Sequence, residues 1–318
     1  MKRRAWKSSL FSGRTDGYCF LSFGFICNYF ILYKMIFAPR KEEDPRIVPD
    51  DEQYQEFKDE TVEMVTALME REYEKVSIIS YDALRLCGRW YEGEEDKPTA
   101  ILFHGYRGSA YRDFSGGSAM LFKKGWNVLI VDERSHGMSE GRAITFGIKE
   151  RYDVVDWVSY VVDRKGKEKD IYLFGISMGA ATVLMASPLL DKSTVRGIIA
   201  DCPYSSPVAI ISCVMKKMKL VPSLLIPFVK LSARIWGRFN LEAESASEAV
   251  KKTDIPILLI HGEDDRFVPC EMSRSIHEAN PELIRFETFP RAGHGLSFMV
   301  DNKRYNRVVD EFFASLEK

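Results

Sequence analysis

The sequence has no paired cysteines. Cys19, Cys27, Cys87, Cys202, Cys213 and Cys270 form no Cys-x-x-Cys and no Cys/His cluster at zinc-ligand spacing. Neither a structural metal nor a thioredoxin-type redox site is therefore expected. The chain also lacks any Asn-x-Ser/Thr acceptor, one sign of passage through a eukaryotic secretory route. It lacks a charge excess: 45 Lys and Arg nearly cancel 46 Asp and Glu. Nothing in that balance calls for nucleic acid, and a neutral small molecule fits better as partner. Repeats and low-complexity tracts are absent as well.

What is present begins with an N-terminal extension over residues 1–49. Lys2, Arg3, Arg4, Lys7 and Arg14 precede an aromatic, apolar run from Tyr18 to Phe37, interrupted by Asn28 and Lys34. The run has the character of a short membrane anchor (about residues 18–37), and no small-x-small cleavage site follows it. Two other readings stay open: an apolar segment packed on the domain, and upstream sequence with Met35 as the natural start. Location is accordingly membrane-anchored or cytoplasmic. An acidic, proline-marked linker leads to residues 50–318, long enough for one catalytic domain with a large core.

From Asp50 to Glu74, Phe57, Met64, Val65, Leu68 and Met69 recur at near-helical spacing. Strand-like and helix-like segments then alternate. Strands are expected at Val76–Ser80, Leu84–Tyr91, Thr99–His104, Asn127–Val131, Ile171–Phe174, Gly197–Ala200, Ile257–Ile260 and Ile284–Thr288. Helices are expected near Tyr111–Lys124, Lys149–Asp163, Met178–Leu190, Glu271–Glu278 and Lys303–Leu316. This pattern predicts an α/β fold: a mainly parallel, twisted sheet of about eight strands with helices on both faces. The rhythm breaks between Cys202 and Thr253, where two apolar helical stretches, Pro207–Leu220 and Ser223–Trp236, replace strands. They read as a small helical cap over residues 203–252, inserted where a ligand would enter.

Gly175-Ile176-Ser177-Met178-Gly179 lies between an apolar strand and an alanine-rich helix. A serine on so sharp a turn is lifted clear of the sheet, the flanking glycines avoid collision, and the helix N-terminus presents backbone N–H groups to negative charge. Ser177 is thus the candidate nucleophile, and it needs a base. Of the five histidines, His277 falls within a helix, His104 and His261 end strands, and His136 follows the fourth strand. His294, in a glycine-flanked loop after the last strand, is the candidate base. The orienting acid should leave the strand before it, where Glu263, Asp264 and Asp265 cluster. Asp265 is preferred, with the other two open and Asp201 a weaker alternative suited to tying down loops. Phe103-His-Gly-Tyr-Arg-Gly-Ser109 offers a glycine-rich turn, so the oxyanion donors are expected to be the backbone N–H groups of Tyr106 and Met178. Tyr106, with Met215, Phe228 and Trp236 of the cap, is the candidate substrate contact.

The motifs His104-Gly-Tyr, Asp132-x-Arg-x-His-Gly-x-Ser139, Gly175-x-Ser-x-Gly179, His261-Gly-x-x-Asp265-x-x-Val-Pro269 and Gly293-His294 stand in the order of the α/β-hydrolase superfamily, which the chain resembles from Val76 to Lys318. Within it the resemblance is to bacterial prolyl-oligopeptidase-like, cinnamoyl-esterase-like and monoglyceride-lipase-like branches. It implies a Ser177–His294–Asp265 triad and a structural loop holding Asp132, Arg134 and His136. Glu133-Arg134-Ser135 departs from the commoner aromatic-Arg-Gly. The order of nucleophile, acid and base together with the apolar cap points to a serine hydrolase acting on a carboxylic ester, with no cofactor and an apolar acyl substrate. Peptidase or amidase activity is the alternative, and a non-catalytic membrane-tethered binding protein a third reading. Membrane contact is expected only through the N-terminal segment, and no oligomeric state is implied.

Overall fold

Four short apolar runs rich in branched aliphatic residues, Ala100–Phe103, Val128–Val131, Ile198–Ala200 and Ile257–Ile260, are buried on both faces. Such runs suit the centre of a covered sheet, where each pleat face meets helices. The computed structural model describes residues 30–39 and 43–317. Among them are eight strands: β1 (Glu74–Ile79), β2 (Arg85–Tyr91), β3 (Thr99–Phe103), β4 (Asn127–Asp132), β5 (Ile171–Ile176), β6 (Val195–Asp201), β7 (Ile257–Gly262) and β8 (Ile284–Phe289). They form one sheet in the order β1-β2-β4-β3-β5-β6-β7-β8. The β1–β2 and β2–β4 pairs are antiparallel and the other five are parallel.

Alternate residues of the central strands enter two separate cores, as a period of two requires. Ile101, Leu129, Leu173, Ile198 and Ile257 pack on one face with Trp157, Val183 and Leu184 from the helices Glu150–Lys165 and Met178–Ala186. Leu102, Ile130, Phe174, Ile199 and Leu258 pack on the other with Leu121, Val309 and Phe312 from Gly117–Lys123 and Asn302–Leu316.

Three expected helices are divided. The one over Asp50–Glu74 becomes Glu52–Gln55 and Lys58–Glu70. The one near Tyr111–Lys124 becomes Ala110–Phe114 and Gly117–Lys123, with Gly116 at the break, where a Cβ would overlap the ring of Phe298. The one over Met178–Leu190 ends at Ala186 and continues as the tighter turn Ser187–Leu189, which Pro188 helps to set. Between β6 and β7 lie the helices Pro207–Lys217 and Pro222–Ser232, a wide turn over Ala233–Gly237, and a short helix at Ala246–Ala249. Ile210, Ile226, Val229 and Ala233 of this insertion join the same core as Tyr33 and Phe37, which lie on a helix over residues 30–37. The remainder of the expected anchor, residues 18–29, lies outside the described residues. No helix among the described residues is long and apolar enough to cross a membrane.

The loop after β4 is held by buried charge. Arg89 pairs with Asp132 at 2.8 Å, and Arg134 binds Asp153 at 2.6 Å and Asp82 at 3.0 Å. Glu133, the departure from the common pattern, is fully buried, and its carboxyl is pushed well up by burial and by Glu150 and Asp153. His136 donates through Nδ1 to the Arg134 carbonyl (3.0 Å) and accepts at Nε2 from the N–H of Arg107 (3.0 Å). Burial brings its pKa down to about 3, so it is neutral and fit to accept.

Two outcomes follow. A Cβ on Gly179 would overlap the carbonyl oxygen of Phe103, a backbone atom fixed by the sheet. Gly179→Ala is expected to cost more than about 3 kcal/mol in denaturant unfolding; an unchanged midpoint would contradict the packing. For His136, a lowered folded pKa means stability that is present above the ordinary value of 6.5 and lost as pH falls from there toward 3. The stability advantage of wild type over His136→Gln should therefore shrink between neutral pH and mildly acid pH, and a constant difference would rule out a neutral buried imidazole.

Candidate active site

Ser177 sits at the end of β5 and immediately before the helix Met178–Ala186, with φ 55° and ψ −109°. That backbone is strained for any residue with a side chain, and its surroundings enforce it. The Ser177 N–H donates to the Asp201 carbonyl at 2.8 Å, and the Ala181 N–H donates to the Ser177 carbonyl at 3.0 Å. A Cβ on Gly175 would overlap the backbone of Gly179 and Ala180, so helix and strand meet at a distance only glycine allows.

His294 reaches this serine from the loop after β8. Its Nδ1 lies 2.7 Å from Asp265 Oδ2 and its Nε2 lies 2.9 Å from Ser177 Oγ. An ionised carboxylate only accepts, so Nδ1 carries the proton and Nε2 is left to accept from the serine hydroxyl. The Tyr54 hydroxyl donates to the His294 carbonyl at 2.7 Å, which fixes the loop. Asp265 is buried, and its Oδ1 accepts the N–H groups of Phe267 and Val268, each at 2.7 Å. His261 Nε2 approaches Oδ2 at 3.2 Å. Burial opposes the ionisation of Asp265. Attraction to His294 and hydrogen bonds from His261 and His294 outweigh that penalty and hold the carboxyl below the usual range.

The neighbouring carboxylates are placed elsewhere. Glu263 accepts from Thr288 Oγ1 at 2.6 Å, and Asp264 is exposed. Asp201 is buried, hydrogen-bonded to Tyr305, and pushed up to about 6 by burial. Cys202, Asp265 and His294 offer ligand-type atoms within 4.8 Å of one another. Asp265 and His294 are already bonded to each other, and burial pushes the Cys202 thiol well up, against the thiolate a metal needs.

Met178 opens the helix after the serine, and Tyr106 lies in the turn after β3. That turn is pinned on every side. The Gly105 N–H donates to Asp113 Oδ2 (2.8 Å), the Arg107 N–H to His136, and the Gly108 N–H to the Gly105 carbonyl (2.9 Å). The residues at the end of the helix over 30–37 add three bonds: Tyr106 OH to the Ile36 carbonyl (2.7 Å), and Arg107 to the carbonyls of Met35 (2.9 Å) and Ala38 (3.0 Å).

Ser177 and His294 open into a cavity of about 420 Å³. Its apolar wall includes Met64, Phe114, Met120, Phe267, Phe298 and Met299, and Tyr106 also lines it. The insertion contributes none of the lining residues. Met215 is buried in the core, Phe228 is half-buried on the second helix, and Trp236 stacks edge-on against Phe30 at 5.2 Å. The wall comes instead from residues 48–64, the divided helix after β3, and the segment after His294. Sequence reasoning missed Met64 and Phe298. Phe298 had a usable signal, since it follows His294 by four residues; Met64 had none beyond lying on an amphipathic helix.

The serine aminopeptidase S33 family matches residues 94–239. The uncharacterized protein YqkD of Bacillus subtilis is 26% identical over 193 residues, covering 60% of this chain and 63% of that protein. A thiohydrolase of Aspergillus aculeatus is 33% identical over 137 residues, 42% of each chain. The chain thus spans less than two thirds of the length of both curated relatives. The solved structure of the Pyrococcus furiosus esterase Pf2001 superposes with a TM-score of 0.61 at 28% identity, over 77% of this chain and 92% of that one. With the sheet order and the strand–serine–helix turn, these likenesses show that the chain has the α/β-hydrolase fold.

Proposed function

We propose that this chain is a serine hydrolase that cleaves carboxylic esters of apolar acyl groups through an acyl-Ser177 intermediate. The observation that carries the reading is the hydrogen-bonded line Asp265–His294–Ser177 ending at an apolar cavity. The solved relative named an esterase is consistent with it.

Ser177 Oγ attacks the ester carbonyl carbon while His294 Nε2 accepts the hydroxyl proton. The resulting imidazolium faces the Asp265 carboxylate, whose depressed pKa keeps it charged at neutral pH. The backbone N–H groups of Tyr106 and Met178 are the proposed donors to the tetrahedral oxyanion, where losing one donor typically costs about 2.7–4 kcal/mol of barrier. Collapse breaks the ester C–O bond, and the leaving alkoxide takes the proton from His294. Water then attacks the acyl-serine, giving its proton to Nε2. The second collapse releases the carboxylic acid and restores the Ser177 hydroxyl. Every step uses groups of this chain and water.

The S33 match favours a second reading, cleavage of an amide at a free amino terminus. Such a site needs a carboxylate turned to the substrate amine. The three acidic residues that line the cavity are engaged elsewhere: Asp113 holds Gly105, Asp51 caps the Gln53 N–H at 3.0 Å, and Asp201 is hydrogen-bonded to Tyr305.

Three outcomes test the proposal. Wild type should hydrolyse short and medium p-nitrophenyl esters and leave aminoacyl anilides uncut; the reverse preference would replace the ester reading with the peptidase one. Ser177→Ala and His294→Ala should each lower kcat by about 10⁶-fold and Asp265→Asn by about 10⁴-fold, with unfolding midpoints retained. Tyr106→Phe keeps the ring on Phe146, 5.0 Å between centroids, and deletes the hydroxyl that bonds Ile36. It should lower kcat by roughly three- to tenfold with little change in KM, one hydrogen bond's net worth. An unaltered kcat would show that the tether does not position the oxyanion turn.

A further inference from the structure

Between Asp201 and Glu242 the sequence carries six basic residues, Lys216, Lys217, Lys219, Lys230, Arg234 and Arg238, and no Asp or Glu. Lys230 is paired with Glu242 at 2.6 Å, which leaves five, a local excess in a chain whose charges otherwise cancel. The same stretch folds as the two helices Pro207–Lys217 and Pro222–Ser232 and the wide turn that follows. Its outer side is apolar where solvent would favour polar residues. Leu224, Leu231 and Ile235 stand at i, i+7 and i+11, one face of the second helix and its continuation, and are 64%, 41% and 52% exposed. Trp236 beside them is exposed and touches Phe30, which carries the surface onto the helix over residues 30–37. There Ile31 is exposed too, and Lys34 lies 5.5 Å from the Phe30 ring. The inward faces of both elements are satisfied by the core through Tyr33, Phe37, Ile226 and Val229. The outward apolar side is therefore surplus to folding, and a contiguous exposed patch of this kind marks an interaction surface.

We infer that this face, built from the second helix of the insertion and the helix over residues 30–37, docks on an anionic lipid bilayer. An apolar strip flanked by Lys and Arg is the arrangement that enters the headgroup boundary while its cations meet lipid phosphates and carboxylates. Charge decides against the main competitor, a second copy of this chain: two such faces would bring basic residues against basic residues. The chain before Phe30 has the same chemistry, since Lys2, Arg3, Arg4, Lys7 and Arg14 precede the apolar run from Tyr18, against the single acid Asp16. The preceding helix of the insertion and the helix over residues 30–37 both abut the active site. Lys217 Nζ donates to the carbonyl of Phe267, a cavity-lining residue, and the end of the helix over 30–37 holds Tyr106 and Arg107. Docking there sets the catalytic cavity beside the membrane surface, where apolar acyl compounds concentrate. The inference stands on the surface itself and holds whichever bond Ser177 cleaves.

The test is co-sedimentation of the full chain with phosphatidylcholine vesicles, with and without phosphatidylserine. Two double variants are compared with wild type: Lys34→Gln with Arg234→Gln, and Leu224→Asp with Ile235→Asp. All four side chains are exposed, so unfolding midpoints should hold. Each basic residue at an anionic surface is worth on the order of fivefold in partitioning. The charge variant should accordingly lose more than roughly tenfold of its binding to phosphatidylserine vesicles, and the apolar variant should lose binding to both vesicle types. Wild-type binding that neither variant reduces would place membrane contact wholly in the preceding segment and overturn the inference. So would absence of wild-type binding, or lipid-independent self-association abolished by the same changes. Ester hydrolysis in detergent-free solution, measured alongside, should be retained by both variants, which separates failure of this inference from failure of the hydrolase reading.

Discussion

At the turn from β5 into the helix Met178–Ala186 there is no room for a second side chain. Gly179 lies against the carbonyls of Phe103 and His104, Gly175 lies against the helix start, and Ser177 between them is forced to positive φ. The constraint reaches outward in both directions. It sets β3 and β5 side by side at the sheet centre, which aligns the turn after β3 with the serine. It also turns the serine hydroxyl out of the sheet, toward the loop that carries His294. A relaxed backbone here would bury the hydroxyl or push the helix from the sheet, and either change would separate Ser177 from His294.

Around that turn, polar groups are sorted by whether they keep or lose charge. Asp265 stays ionised in spite of burial, because its two oxygens accept two backbone N–H groups and face His261 and His294. Asp201 at the end of β6 has no comparable set of donors, so burial raises it. The contrast lies in hydrogen-bond supply, since both carboxylates are removed from water. The other histidines of the strand ends serve as fixed donors and acceptors for backbone. His104 accepts the Glu133 N–H, His136 accepts the Arg107 N–H, and His261 binds the Val268 carbonyl. They hold the loops around Ser177 and His294.

Much of this was legible in the sequence. The strands announce themselves as short runs of Val, Ile, Leu and Ala, and all eight expected strands are present, shifted by no more than a few residues. Candidates for serine, acid and histidine could be nominated from the sequence because the turn chemistry around each is local. The choice among Glu263, Asp264 and Asp265 was only partly legible, since it depends on which carboxylate the turn buries. Most of the cavity wall was not legible: of the four expected substrate contacts only Tyr106 lines it. Met64 faces the site only because the helix Lys58–Glu70 packs beside Ala110–Phe114, and the break at Gly116 exists because the ring of Phe298, nearly two hundred residues later, occupies the space. Local periodicity carries no information about such partners. The insertion between β6 and β7 was found from its missing strands, but its apolar residues suggested a substrate wall, whereas Met215 serves the core and Trp236 the outer surface.

The central claim is that Ser177 is an activated nucleophile. The direct measurement is reaction of the folded protein with a fluorophosphonate, followed by mass spectrometry of the digested chain. The account predicts one phosphonyl adduct, on Ser177, abolished by Ser177→Ala and slowed by orders of magnitude in His294→Ala. Folded wild-type protein that acquires no adduct, or acquires it on another residue, would contradict it.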